Sequence, residues 1–426
     1  MDSTGFQVIA IIAIALQGLL LFLALFEPTL RYRISQPPSN PLDSERFLNV
    51  LSTLADSSIR RNTTVEVLTN GEVFYEAELE AIRKAKHSVN LEAYIFQKGE
   101  VTRRFLEALA ERAQAGVKVN LVLDAIGSFA TWNSYLKPLT DAGGRVAWYH
   151  GFKWHTLPRL NSRTHREIIV VDCEVGFIGG AGFADHWLFP HKKRPRWRDT
   201  MFRVEGDAVA GLQSTFIENW LEASGELLTS EEYFCFSKKE SQSVALVIDS
   251  SVSSGQSTRG RMLYQTLLAS AKERIELTTP YFLPDKGIRK ELIRAMRERG
   301  VKLKILCPGR HADHLLTRRS SRRLYGSLLR AGAEIYEYRP SMIHAKSLVI
   351  DGEWSVVGST NLDHRSFSIN DEVNLASNDP GLAARLREDF ARDLTVSKCV
   401  TYTAWKRRSL FERMHEGLGR LLERQQ

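Results

Sequence analysis

The 426-residue chain is poor in cysteine, and its four, Cys173, Cys235, Cys307 and Cys399, form no C-x-x-C pair. That scatter excludes a disulfide framework or a thiolate zinc site and reads as small buried hydrophobes in a reducing compartment. A Walker-type glycine loop, an H-E-x-x-H helix and a G-x-S-x-G turn are also absent. P-loop phosphate transfer, zinc hydrolysis and serine-elbow chemistry therefore have no residues to run on. Negative charge is in deficit: 58 Lys and Arg against 50 Asp and Glu give a net +8. This balance points to an anionic partner, whether nucleic acid, a phospholipid surface or a phosphate-bearing substrate, without choosing among them.

Long apolar runs are missing everywhere except the N-terminus. Gly5 to Phe26 carries no charge over 22 residues, enough at ~1.5 Å per residue to cross a hydrocarbon layer of ~30 Å. No basic residue precedes it and no small-residue cleavage site follows, which argues against a cleaved leader. Arg31 and Arg33 come just after the run, so the positive-inside bias predicts a single-pass anchor over 1–28 with the rest of the chain in the cytoplasm, at the inner or plasma membrane. Residues 29–59 read as a linker, with a Pro- and Ser-rich tether at Ile34–Ser44 and a short amphipathic helix at Glu45–Ala55.

The body of the chain is a duplication. Val89–Phe96 reads as a buried strand, Val101–Ala115 as a helix and Val117–Leu123 as a strand. Ala271-Lys272, Ile275–Leu277, Gly300-Val301 and Ala331-Gly332 repeat Ala85-Lys86, Val89–Leu91, Gly116-Val117 and Ala142-Gly143. The expected fold class is therefore α/β: two duplicated units, 60–236 and 241–400, packed as a pseudo-dimer after one transmembrane helix, each with a largely parallel sheet. Residues 401–426 read as a basic amphipathic helix. From Trp405 onward, Leu410, Met414, Leu418 and Leu421 mark one face and Lys406, Arg407, Arg408, Arg413 and Arg420 the other. Such a helix either lies on a bilayer or packs on the core.

Near the end of the second unit stands His344-Ala345-Lys346, an apolar strand, Asp351, and then Gly358-Ser359-Thr360-Asn361. Residues i and i+2 of a strand share a face, so His344 and Lys346 would address one phosphate together. Lysine brings charge to a non-bridging oxygen, and histidine brings a nucleophile or a proton. The first unit has His165, Asp172 and Gly179-Gly180-Ala181-Gly182 in the same order, but Glu167 holds the lysine position and Gly182 the asparagine position. Acidic residues follow each motif, Asp199 after the first and Glu372 after the second. A carboxylate on a histidine Nδ1 fixes its tautomer and stabilises its cation.

The H-x-K-x4-D run with its trailing G-S-x-N resembles the phospholipase D superfamily. Leu91–Phe96, Thr279–Pro284 and Asn361–Phe367 look like cardiolipin synthases over residues 60–426. The resemblance implies a phosphatidyltransferase that joins two phosphatidylglycerol molecules through a phosphohistidine and releases glycerol, with no cofactor or metal. It implies a catalytic set of His165, His344, Lys346, Asn361, Asp172, Asp351, Asp199, Glu372 and Glu167, with Ser359 and Arg198 holding substrate. Asp199 would orient His344, and Glu372 would orient His165. The expected partners are phosphatidylglycerol and anionic membrane lipids; the membrane span favours these over nucleic acid. The basic clusters Lys192-Lys193-Arg194 with Arg196, and Arg318-Arg319 with Arg322-Arg323, could draw such a surface in. A phospholipase using water, a nuclease, or a scaffold disabled by Glu167 are the rival readings. As an anion, Glu167 would raise the pKa of His165 and repel phosphate unless Arg163 or Arg198 offset it, making His344 the nucleophile and His165 the acid.

Overall fold

Each half of the chain builds its own sheet, and the computed structural model describes residues 3–25, 32–151, 159, 161–190, 195–234, 241, 243–252, 255, 258–409 and 412. The chain enters through α1 (Ser3–Leu25), α2 (Glu45–Ala55) and β1 (Ile59–Arg60). The first unit runs β2 (Thr63–Thr69), α3 (Gly71–Lys84), β3 (Ser88–Ala93), α4 (Glu100–Gln114), β4 (Lys118–Asp124), α5 (Asn133–Asp141) and β5 (Arg145–Tyr149). It closes with β6 (Ile168–Val171), β7 (Val175–Gly179), β8 (Thr200–Gly206) and α6 (Ala208–Ser224). The second unit repeats that order as β9 (Ala245–Ser250), α7 (Arg259–Ser270), β10 (Arg274–Thr278), α8 (Lys286–Arg299), β11 (Lys302–Pro308), α9 (Leu315–Ala331) and β12 (Glu334–Tyr338). It continues through β13 (Ser347–Ile350), β14 (Trp354–Gly358), α10 (His364–Ser368), β15 (Glu372–Ser377) and α11 (Pro380–Thr395), then adds β16 (Ser397–Val400) and α12 (Tyr402–Lys406).

The seven-stranded sheet has the order β2-β8-β7-β6-β3-β4-β5, and the nine-stranded sheet the order β1-β9-β15-β14-β13-β10-β11-β12-β16. Among the described strands only β3–β4–β5 and β10–β11–β12 pair in parallel. The expectation of largely parallel sheets is thus corrected. Helical crossovers impose parallel pairing on those strands, but β6–β7 and β13–β14 are joined by tight turns that can only reverse the chain.

The helices sort by which strand face they cover. Apolar residues of α3 and α4 pack with Leu91, Ile169 and Phe177 on the outer side of the first sheet. Those of α2, α7 and α8 pack with Ile275, Leu348 and Val356 on the outer side of the second. The opposite faces meet in one shared core, where Ile168, Val170 and Phe202 join Val349, Val357 and Val373 beside Leu212 of α6 and Leu386 of α11. Alternation along β6 and β13 therefore buries both faces of the motif strands.

The stretch read as a loose tether is docked on the second unit. Tyr32 lies under the Arg261 guanidinium at 3.8 Å, Leu42 is buried, and Trp354 Nε1 donates to Leu42 O at 2.8 Å. Ser44 caps α2 by accepting from Phe47 N, and β1 pairs with β9. The α1 helix covers 23 residues, with described side chains ending at Leu19. Among the described residues no helix is long and apolar enough to cross a membrane, so the anchor stands as a reading of the sequence. At the other end, Trp405 Nε1 donates to Arg322 O at 2.7 Å and the indole lies on Gly326 of α9. The start of the expected interfacial helix thus packs on the core, and Leu410, Met414, Leu418 and Leu421 lie outside the described residues.

Candidate active site

Both motif histidines sit in extended chain just ahead of their strands, β6 and β13. Each segment is stapled to the acidic segment of the other unit. His165 N donates to Asp371 O at 2.8 Å, and Asp371 N donates back to Arg163 O at 2.9 Å. Likewise His344 N donates to Arg198 O at 2.7 Å, and Arg198 N to Met342 O at 2.8 Å. This reciprocal exchange carries each carboxylate to the opposite histidine. Asp199 Oδ2 lies 3.0 Å from His344 Nδ1, and Glu372 Oε2 lies 3.1 Å from His165 Nδ1. Both carboxylates are fully buried, and neither Nε2 atom is taken by a carboxylate.

The carboxylates are themselves held. Trp187 Nε1 and Thr200 N donate to Asp199 at 2.9 and 2.8 Å. Burial works against its charge, but the hydrogen bond and charge of His344, with Lys346 adding, hold its carboxyl below the usual range. Glu372 accepts a short hydrogen bond from Ser359 Oγ, which in turn accepts from Val373 N at 3.1 Å. Ser359 is wholly buried. The expectation that it holds substrate is therefore corrected: its hydroxyl is spent on orienting Glu372.

Lys346 lies beside His344, with Nζ 3.1 Å from Nδ1, 3.2 Å from Nε2 and donating to the residue's own carbonyl at 2.9 Å. Burial pushes the His344 pKa down and the Lys346 ammonium pushes it further, against the pull of Asp199. The imidazole is neutral near pH 7. Burial also lowers the pKa of Lys346, opposed by Asp199, Glu372 and Glu167.

Glu167 departs from its expected part. It is buried at 3 % exposure, and its Oε1 accepts from Tyr94 N and Ile95 N at 3.2 and 3.4 Å. Burial raises its pKa well above the carboxylate range in spite of those donors and Lys346. Burial thus favours the protonated carboxyl, and the expected repulsion of phosphate rests on a charge that burial opposes.

Asp172 and Asp351, expected to be catalytic, face away from the cleft. Asp172 accepts from the N–H groups of Lys86, His87 and Ser88, and Asp351 from those of Lys272, Glu273 and Arg274. Seven residues of extended chain put each roughly 23 Å from its histidine. Both adopt positive φ, 51° and 55°, and their work is to clamp the turns leading into β3 and β10. Arg198 is likewise corrected. Its guanidinium binds Asp393 at 3.0 Å and Thr200, joining the units behind the site. Arg318 and Arg322 both pair with Glu337, and 192–194 lie outside the described residues.

The remaining expected residues, His165, His344, Glu167 and Asn361, line one cleft of about 750 Å³. Arg163 is also in its wall, with its guanidinium 3.4 Å from Asp124. Sequence reasoning missed Tyr94, Tyr281, Asp313 and Asp363 there. The Tyr94 ring lies tilted beside His165 and the Tyr281 ring edge-on to His344, with ring centroids 5.3 and 6.2 Å apart. Both residues follow closely on the ends of β3 and β10, which was a usable signal. Tyr281 donates to Asp313, and burial lifts Asp363 to about 6.

Comparison with known proteins bears on this geometry. The family described as the PLD-like domain of cardiolipin synthase matches residues 79–193 and 264–394. The chain is 34% identical over 371 residues to cardiolipin synthase 1 of Bacillus anthracis, covering 84% of this chain and 72% of that one. It is 33% identical over 392 residues to the cardiolipin synthase of Listeria monocytogenes, covering 91% and 80%. Among solved structures, phosphatidylserine synthase of Haemophilus influenzae shares the fold, with a TM-score of 0.68 at 15% identity over 90% of this chain and 100% of that one.

Proposed function

Because the chain belongs to the phospholipase D-like family of cardiolipin synthases and is a phosphatidyltransferase of that superfamily, we propose that it joins two phosphatidylglycerol molecules into cardiolipin and releases glycerol. The observation that carries this reading is the pair of histidines in one cleft, each with Nδ1 on a buried carboxylate of the opposite unit. A transfer in two displacements needs one group to hold the phosphatidyl moiety and another to manage the proton of each alcohol. His344, neutral beside Lys346, attacks phosphorus through Nε2, and the P–O bond to glycerol breaks. His165 gives its Nε2 proton to the departing oxygen. It then takes the proton of the second phosphatidylglycerol's hydroxyl, whose oxygen attacks phosphorus and frees His344. Lys346 holds a non-bridging oxygen throughout.

Incubating the protein in phosphatidylglycerol vesicles is expected to yield cardiolipin and glycerol by mass spectrometry. Rapid quenching at alkaline pH with phosphorus-labelled lipid is expected to leave the label on the His344 peptide. Phosphatidic acid as sole product would make water the acceptor, and label on the His165 peptide would reverse the roles.

The cleft rim supports a lipid rather than a nucleic acid. Ile126 lines the cleft, and in the same loop Phe129 and Trp132 are each 73% exposed, against at most 55% for any other large hydrophobic described outside α1. Leu315 stands exposed on the cleft's other side. Such residues cost little in an interfacial region and suit a mouth that opens on a bilayer. With α1 as anchor, the body would work on the cytoplasmic leaflet. The double variant F129S/W132S is expected to lower turnover on vesicles about tenfold while leaving turnover of short-chain monomeric substrate unchanged. Equal loss on both would place these residues in the fold instead.

A further inference from the structure

Three positions of the first unit depart together from their counterparts in the second: Glu167 for Lys346, Gly180 for Ser359 and Gly182 for Asn361. The structure shows why they travel together. A Cβ added at Gly182 would stand 2.8 Å from Ile95 O and 3.0 Å from Glu167 Oε1, so an asparagine would occupy the carboxyl's own space. A Cβ at Gly180 would stand 2.6 Å from Lys346 Nζ. The lysine of the second unit thus reaches into room that the first unit leaves open. The matching position of the first unit supplies a carboxyl where a second ammonium would be.

The two oxygens of that carboxyl have different lots. Oε1 accepts from two backbone N–H groups. Oε2 is buried, has no hydrogen-bond partner among the described residues, and belongs to a residue in the cleft wall. An oxygen that accepts two donors is the poorer place for a proton, so a protonated Glu167 carries its hydrogen on Oε2. Resting on the phosphodiester chemistry above, we propose that Glu167 is a neutral carboxylic acid that donates a hydrogen bond from Oε2 to a non-bridging oxygen of the bound phosphodiester. At the two matched motif positions the centre would then hold its substrate with one ammonium and one neutral donor. That arrangement binds a singly charged phosphodiester without the surplus positive charge of two lysines. It also leaves Lys346 as the ammonium beside His344.

Glu167 is faced by Lys346 ahead of β13, Glu92 on β3, Tyr94 after β3, Tyr75 on α3 and His165 on its own segment. Burial is the largest influence on its proton, with Lys346 opposing and Glu92 reinforcing. The donor form lies on the acid side of a raised pKa, so its contribution is lost as pH rises through that value.

The experiment compares the full-length wild type with E167Q and E167A. E167A is expected to lower kcat about 100-fold near neutrality, the usual scale for losing one donor to a developing oxyanion. E167Q keeps a donor and is expected to retain most of the rate while losing the alkaline limb of the wild-type profile. A limb due to Lys346 would move in E167Q, because Glu167 helps hold up that lysine's pKa, whereas the limb of Glu167 itself disappears. Infrared difference spectra with vanadate as phosphate mimic supply a readout independent of lipid turnover. A protonated-carboxyl band absent from E167Q should shift to lower frequency when vanadate is added. Full activity in E167A, equal collapse of E167Q and E167A, or a band that vanadate does not move would each overturn the proposal. A wild type that consumes no phosphatidylglycerol but shows the vanadate shift would sink the lipid assignment and leave this one standing.

Discussion

Replacing His344 with alanine is expected to cut turnover of phosphatidylglycerol by roughly 10⁴- to 10⁶-fold, and the same change at His165 should cost nearly as much. Both rings lose their Nδ1 freedom to a carboxylate delivered by the other unit, so neither half-site is complete by itself. Groups that act in one sequence of steps do not contribute separable factors. The double variant should therefore be no slower than the worse single one, rather than slower by the product. Thermal melting of each variant guards against a trivial loss of fold. His165 is 12% exposed in its side chain and His344 6%, so each truncation leaves a cavity and the melting control is needed. Wild-type rates in H165A would show the first half-site to be vestigial.

The next largest expected loss comes from atoms that never touch the substrate. D199N and E372Q preserve shape but turn a charged acceptor into an amide. Asp199 accepts from Trp187 and Thr200 as well as from His344. An asparagine would meet three donors with one oxygen and would present its NH₂ group toward one of them. The histidine is then driven to the wrong tautomer, and the imidazolium that forms during proton transfer loses its counter-charge. Expected losses are about 10³- to 10⁴-fold in kcat, with little change in KM. A stopped-flow burst separates the two sites. With His344 as nucleophile, D199N should slow formation of the covalent intermediate, while E372Q should slow both leaving-group departure and breakdown of the intermediate. Loss confined to KM would mean that these acids position lipid instead.

The duplication, the two histidines and their acidic partners were legible because each rests on a local rule. Strand alternation puts His344 and Lys346 together, and the repeat supplies His165 where Glu167 alone would have hidden it. Other roles depend on distances that sequence does not carry. Asp351 belongs to the same short motif as His344, yet β13 carries it to the opposite end of the strand, where it binds backbone N–H groups. Ser359 was given to substrate by the resemblance alone, but the return of β15 places Glu372 against it. Glu167 read as an anion because charge is the only property a letter conveys, whereas burial decides whether the proton stays. Parallel pairing was overestimated for a similar reason. Alternating strands and helices account for β3–β4–β5, and nothing in that pattern announces the hairpin of β6 and β7.

The docked segment before α2 sets how far this enzyme can travel from its own N-terminus. Tyr32 lies against Arg261, and Trp354 donates to the Leu42 carbonyl, so the chain at both points is held to the second unit and adds no reach between the body and α1. From Leu25 to Tyr32 the covalent chain can span at most roughly 25 Å. So short a leash keeps the body in a thin shell around whatever holds α1. If that is a bilayer, encounter with lipid becomes a search in two dimensions, governed by lateral diffusion and surface density instead of bulk concentration. Lengthening the leash with flexible residues would then dilute the active site relative to its substrate without altering a single catalytic atom.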